Sequence, residues 1–262
     1  MSWRGRSALI TRTASDASNL VDLLKQRGAR VVVMPTIVRG PPDDKAQVAK
    51  IAATIDTYDA IAVGSAAALR PVAAAMHAPT RVLMACVGAK TAKTLEVDAQ
   101  LAPQFLGPRL VPPTYRAESL VEALVGHFGT LVGKRFCVPR APEGRDVLGA
   151  GLRDAGADVD EVVTYRILPA APPARQVWQQ AQSVDAALFL SGQTLANLLV
   201  IVPEAEARAF LARTKVGVIG PIAASRADAL GIRVDAVAPT ATQEALVDAV
   251  ETVLASTPLK AR

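Results

Sequence analysis

The chain has 262 residues, 51% of them hydrophobic and 20% charged, which is the make-up of a folded globular protein with room for two domains and excludes a disordered one. Its net charge of +5 comes from 29 basic and 24 acidic residues, and 21 of the basic ones are arginines, whose planar guanidinium suits carboxylates and phosphates. Aromatic residues make up only 4%, no Lys/Arg cluster occurs and no apolar run approaches the ~20 residues of a membrane span, so neither nucleic acid nor membrane is an expected partner.

The first segment, MSWRGRSALITR, has no apolar stretch of signal-peptide length, which predicts a cytoplasmic protein. A short apolar run, ALIT (8 to 11), leads into a helical pattern from Ser15 to Gln26, and Gly28 sits where a helix C-terminal glycine belongs. A second run follows at ARVVVMP (29 to 35). The same alternation continues through AIAVGS (60 to 65), RVLMACVG (81 to 88), KRFCVP (134 to 139), AALFLS (186 to 191) and KVGVIG (215 to 220). Apolar runs of this length between helices predict parallel strands buried on both faces, hence an α/β doubly wound fold.

Two segments break the rhythm. MPTIVRGPP (34 to 42) and VVTYRILPAAPP (162 to 173) each end in a Pro pair and read as extended linkers, because the residue before proline is pushed toward β geometry. A third Pro-rich stretch, 102 to 118, reads as a surface loop. Cys86 and Cys137 lie in apolar runs as buried thiols, and His77 and His127 stand without ligand spacing, so no metal and no cofactor are expected.

The second half of the chain repeats the first at a shift of about 126 to 132 residues. Arg12 and Gly28 are matched by Arg140 and Gly156, YDAIAVGSAAAL (58 to 69) by VDAALFLSGQTL (184 to 195), VGAKTAKTL (87 to 95) by IGPIAASRADAL (219 to 230), and the Glu118 helix by the Glu244 helix. A duplicated unit of roughly 125 residues predicts two similar lobes with a cleft between them. Four strand ends, at 64, 87, 190 and 219, pass through small residues into a helix. In open parallel sheets such ends form the ligand edge, where backbone amides and helix dipoles favour anions. An ordinary N-cap is the competing explanation of each one singly.

These motifs together resemble the uroporphyrinogen-III synthase family of tetrapyrrole biosynthesis. The resemblance runs over nearly the whole chain, from Thr11-Arg12 and RGARVVVMPTI through VGAKTAKTL, AESLVEAL and the long GKRFCVPRAPEGRDVLGAGLRDAGADVDEVVTYRI segment to VIGP and ATQEALVDAV. It implies two doubly wound parallel-sheet lobes joined by a two-stranded ladder, with a deep cleft between. Lobe one would be 1–34 plus 171–262, lobe two 41–163, and the ladder 35–40 with 164–170; a plain tandem split near residue 130 is the structural alternative.

The implied activity is that of a cyclising hydro-lyase, which closes hydroxymethylbilane, a linear octacarboxylate tetrapyrrole, with ring D inverted and water lost. No cofactor would be needed. The implied protein is a monomer that makes at most transient contact with hydroxymethylbilane synthase, and the alternative is a catalytically inactive tetrapyrrole-binding or sensor protein of the same fold.

By the same resemblance Tyr165 would be the proton donor, since a phenol with the usual pKa of about 10 stays protonated at neutral pH. Thr91, its catalytic companion at a strand-to-helix turn, would bind a substrate carboxylate or the leaving group, with a plain N-cap as the competing explanation. Substrate contacts would fall to Arg12, Ser65, Gly88, Lys90, Arg140, Arg145, Ser191, Gly192, Gly220 and Pro221. Two departures stand out, Ala67 where the family often has Asn and Ala223 where it often has Thr.

Overall fold

The computed structural model describes residues 3–142 and 147–256. Among them twelve strands and eleven α-helices run in the order β1 (Ser7–Ile10), α1 (Ala14–Gln26), β2 (Arg30–Val33), β3 (Ile37–Gly40), α2 (Lys45–Ala53), β4 (Ala60–Val63), α3 (Arg70–Ala75), β5 (Leu83–Cys86), α4 (Ala89–Val97), β6 (Arg109–Leu110), α5 (Ala117–Phe128) and β7 (Arg135–Arg140). The order continues with α6 (Val147–Asp154), β8 (Asp158–Val163), β9 (Arg166–Pro169), α7 (Arg175–Gln182), β10 (Ala186–Phe189), α8 (Gly192–Ile201), α9 (Glu204–Arg213), β11 (Lys215–Val218), α10 (Pro221–Ala229), β12 (Ala236–Val237) and α11 (Gln243–Ala255). The stretch 102 to 118, which reads as a plain loop in the sequence, contains the short strand β6 at a sheet edge. Two residues are too few to carry a periodic signal.

The chain divides into two compact units, Met1–Val38 with Leu168–Arg262, and Arg39–Ile167. Unit 1 holds a five-stranded sheet in the order β12-β11-β10-β1-β2, and unit 2 holds one in the order β6-β5-β4-β7-β8. Every strand pair in both sheets is parallel. Strands β3 and β9 pair with each other in a separate two-stranded antiparallel sheet. Neither large sheet is built from one copy of the repeat: β1 of the first copy, with β2 at its outer edge, pairs with β10 of the second, and β7 of the second, with β8 at its outer edge, pairs with β4 of the first.

Each sheet is apolar on both faces because alternate side chains serve different layers. In unit 1, Leu9, Ala187, Phe189, Val216 and Val218 pack on one side, while Ala8, Ile10, Ala186 and Leu188 pack on the other against α1 and α11. In unit 2, Ile61, Val63, Met84 and Cys86 face one layer, and Ala60, Ala62, Phe136 and Val138 the other. Edge strands β2 and β8 are only partly buried, as strands with one neighbour must be.

Helices α1 and α6 end alike. Gly28 and Gly156 have φ of +87° and +91°, and the amides after each helix reach back to Lys25 and Leu24, and to Arg153 and Leu152, closing the last turn with left-handed glycine.

Two carboxylates clamp the strands supplied by the other copy. Asp185 accepts from the Ser7 amide and hydroxyl, both at 2.8 Å, and donates its own amide to the Ser7 carbonyl at 3.0 Å. The equivalent Asp59 accepts from the Arg135 amide at 2.9 Å and pairs with Lys134 at 2.9 Å, contacts that hold its carboxyl below the ordinary range against the opposing effect of burial. Asp185 is 8% exposed. Replacing it with Ala strips a charged acceptor from buried donors, a loss of about 2–3 kcal/mol. Urea unfolding of Asp185→Ala is expected to show that drop, with a smaller one for Asp59→Ala at its more open site.

Burial raises the Cys86 thiol to about 11 and the Cys137 thiol to about 12, because an apolar surrounding disfavours the thiolate. Both thiols are fully covered. The sign follows: a group whose folded pKa lies above its ordinary 9.0 contributes stability that is full below that value and lost as pH climbs toward 11 and 12. Native protein at pH 8 is therefore expected to resist a disulfide thiol reagent and to yield both cysteines only on unfolding.

Candidate active site

The strand order of unit 1, taken in its own chain order, is 2-1-3-4-5, with the reversal between β1 and β10. Ligands in such sheets bind outside the carboxyl ends of the strands at that reversal. Ile10 is registered against Leu188, and Phe189 against Val218, so Thr11-Arg12, Leu190-Ser191 and Ile219-Gly220 leave the sheet side by side. Helices α1, α8 and α10 begin there with Thr13, Ser191 and Gly220 as N-caps.

Each residue at this edge has a local reason for its identity. The Ser191 hydroxyl caps α8 by accepting from the Thr194 amide at 3.3 Å. Gly192 lets α8 approach α10 closely, since a Cβ there would meet Arg226 Cβ at 2.5 Å. Gly220 is extended and supplies no side-chain cap, and Pro221 opens α10. Arg12 is half-buried, and its Nε is fully covered with no protein acceptor. A covered donor of this kind suits an incoming anion.

Unit 2 repeats the arrangement with other side chains. Val63 is registered against Cys86, and β7 runs beside β4, so the turns at Gly64-Ser65, Val87-Gly88 and Arg140-Ala141 share one edge. Ser65 caps a short 3-10 turn by accepting from the Ala67 amide at 3.3 Å. Gly88 starts α4 with no side-chain cap, and the exposed Tyr115 lies against it. Lys90 is exposed on the first turn.

Three predicted site residues turn out to have specific structural partners. The Thr91 hydroxyl, 8% exposed, donates to the Gly64 carbonyl at 3.3 Å and so ties α4 to the neighbouring turn. Arg140 is ion-paired through Nε to Glu161 at 2.8 Å, and Glu161 also holds Arg153. A substrate carboxylate at Arg140 would share that cation with Glu161. Tyr165 is 7% exposed in the unit 2 core, with the Arg39 guanidinium 5.6 Å above its ring, and lines a cavity of about 440 Å³ that Ala67 also lines. Arg145 lies outside the described residues.

The structure thus brings together Arg12, Ser191, Gly192, Gly220 and Pro221 at one edge, and Ser65, Gly88, Lys90, Thr91 and Arg140 at the other, while Tyr165 sits between β8 and β9. Sequence reasoning missed Arg39, Tyr115 and the 84% exposed Ile222 at the start of α10. It also missed a repeated pair, the buried Thr36 and Thr164, whose amides bond the carbonyls of Thr11 and Arg140. The recurrence of a threonine before Ile37 and before Tyr165 was the available signal. Among the described residues no cluster of His, Cys, Asp and Glu could hold a metal ion, and no helix is long and apolar enough to cross a membrane.

A sequence model of the family described as uroporphyrinogen-III synthase HemD matches residues 18–248. The chain belongs to the uroporphyrinogen-III synthase family. The uroporphyrinogen-III synthase of Synechococcus elongatus is 33% identical over 169 residues, covering 62% of this chain and 60% of that protein. This alignment thus spans less than two thirds of the cyanobacterial relative. Among solved structures, a mutant uroporphyrinogen III synthase of the extremely thermophilic bacterium Thermus thermophilus is 16% identical, with 95% of this chain and 99% of that one covered and a TM-score of 0.49. The Helicobacter pylori uroporphyrinogen-III synthetase is 15% identical over the same shares, also with a TM-score of 0.49.

The Thr91 tie to the Gly64 carbonyl can be tested by stability. Thr91→Val removes a donor and leaves the Gly64 carbonyl to solvent, so it is expected to cost about 1 kcal/mol. Thr91→Ser should recover most of the loss in the urea midpoint.

Proposed function

We propose that this chain closes hydroxymethylbilane to uroporphyrinogen III, inverting ring D and releasing water. The observation that carries the reading is the family match across residues 18–248, which takes in strands of both sheets and, apart from Thr11-Arg12, the turns of both edges. The chemistry of those edges supports it. A substrate with eight carboxylates needs many anion contacts and few reacting groups, and helix N-termini with small residues supply main-chain amides for the purpose. The net charge of +5 favours the encounter.

In the proposed reaction the C–O bond of the terminal hydroxymethyl group breaks, the oxygen takes a proton and leaves as water, and the adjacent pyrrole N–H gives up its proton to leave an azafulvene. The substituted carbon of ring D attacks this carbon to form a spiro intermediate. Rearrangement, with one proton returned to the azafulvene nitrogen and one lost from the free α-carbon of ring D, then delivers the type III macrocycle. Electron-rich pyrroles close unassisted without inversion, so the protein's main work is to hold one folded geometry, and positioning can contribute on the order of 7–11 kcal/mol. Tyr165 is the proposed donor to the leaving hydroxyl. Thr91 acts through the Ser65 turn that it holds.

The labile substrate also supports a transient handover from hydroxymethylbilane synthase to a monomeric cytoplasmic enzyme. The test of the main reading is to supply hydroxymethylbilane, oxidise the product and separate the uroporphyrin isomers. The type III isomer is expected in excess. Type I alone at the unassisted rate would refute the reading. Tyr165→Phe is expected to lower type III formation severalfold or more with the fold intact by circular dichroism, and unchanged turnover would reduce Tyr165 to packing.

A further inference from the structure

Two glycines of the unit 2 edge are not demanded by the fold. Gly88 has φ of −145° and ψ of 155°, extended backbone that any residue adopts, and Gly64 is not among the glycines with positive φ. A Cβ on Gly64 would meet no described atom within 4 Å, and the three nearest neighbours of one on Gly88 would all be Tyr115 atoms, at the ordinary contact distances of 3.6 to 4.0 Å. The two turns lie side by side, since Val63 is registered against Cys86 and the Val87 amide bonds the Val63 carbonyl at 3.0 Å. Gly64, Gly88 and Tyr115 therefore follow one another along this edge. A glycine that neither backbone nor neighbour requires weakens the fold through the freedom of the unfolded chain, and it suits a place where a ligand approaches the main chain closely.

Tyr115 supplies the other half of the argument. It is the only Phe, Trp or Tyr among the described residues that is exposed, at 65%. Its backbone is held on both sides: the buried Pro112 precedes the turn, the Arg116 amide bonds the Thr114 carbonyl at 2.9 Å, and the Thr114 hydroxyl bonds the Ser119 hydroxyl of α5. An aromatic side chain presented on a fixed turn loses little freedom when it meets a ligand, and it gains most from a flat ring. We infer that Tyr115, Gly64 and Gly88 form a seat for one pyrrole ring of the substrate, which packs against the tyrosine and lies over main chain that carries no side chains. Tyr115 is thus a binding residue of the unit 2 edge. The inference rests on the proposed cyclisation for the identity of the ring, and on the edge alone for the class of ligand.

The test uses the full chain and, as probe, porphobilinogen, a single pyrrole bearing an acetate and a propionate. Amide resonances of Gly64, Gly88 and Tyr115 are expected to shift on titration, whereas propionate, which has the carboxylate without the ring, should leave them in place. Tyr115→Leu is expected to weaken probe binding about fivefold or more and to raise KM for hydroxymethylbilane by a similar factor, the scale of one lost stacking contact, with a much smaller change in kcat. Tyr115→Phe should recover most of both. Gly64→Ala is expected to raise KM in the same direction while its thermal midpoint stays at or above that of the parent, a pairing that a merely structural glycine would not give. Absence of the shifts, equal shifts with propionate, the parent KM in Tyr115→Leu, or a lowered midpoint with the parent KM in Gly64→Ala would each overturn the seat. The two readings fail separately: the expected shifts with only type I product keep the seat and sink the cyclisation, and type III product without the shifts does the reverse.

Discussion

The parallel pairing of β1 with β10 and of β4 with β7 is the constraint on which the rest depends. A βαβ unit made only of β1, α1 and β2 cannot bury both faces of its strands, and the sheet it needs lies about 180 residues further on. The same holds for β7, α6 and β8, whose sheet was laid down earlier in the chain. Each pairing is secured at the strand start by one carboxylate, Asp185 or Asp59, that accepts from the first amide of the incoming strand. Because the sheets are completed by exchange, the chain must cross from one unit to the other twice. It does so within β3 and β9, which pair with each other and so satisfy backbone groups that a lone extended crossing would leave to solvent.

The exchange also determines what each ligand edge contains. Arg12 from the first copy meets Ser191 and Gly220 from the second, and Ser65, Gly88 and Thr91 from the first meet Arg140 from the second. Each edge therefore receives one member of every repeated turn. A duplication followed by exchange keeps the local sequence requirements, small residues and caps at strand ends, while doubling the number of edges built from helix N-termini.

Much of this was legible because it is local. Apolar runs of four residues marked the central strands, Gly28 and Gly156 marked helix ends, and Ser65 and Ser191 marked helix starts that do carry capping hydrogen bonds. What remained hidden depends on register. That Glu161 occupies Arg140 follows only once β8 lies beside β7, and that Arg39 covers Tyr165 follows only once residues 126 apart in sequence are brought together. Strand β6 was hidden for a different reason, since a two-residue edge strand between prolines has no period to detect. Periodicity tells which residues are buried, and it is silent on which side chain ends up beside which.

The asymmetry between the two edges shows one structural need met by two kinds of chemistry. In unit 2 the first turn of α4 is held to the neighbouring strand end by the Thr91 hydroxyl on the Gly64 carbonyl. In unit 1 the equivalent residue is Ala223, buried at 3% exposure, and α10 is instead held by close packing against Gly192, where a side chain would collide with Arg226. A directional bond can be made and released as a ligand arrives, whereas a contact built on the absence of a Cβ cannot. The polar solution lies in the same unit as Tyr165, whose counterpart in the other crossing is Ile37. The duplicated frame thus repeats helix N-termini at both edges, and it is in unit 2 that the threonine tie and the tyrosine of the crossing occur together.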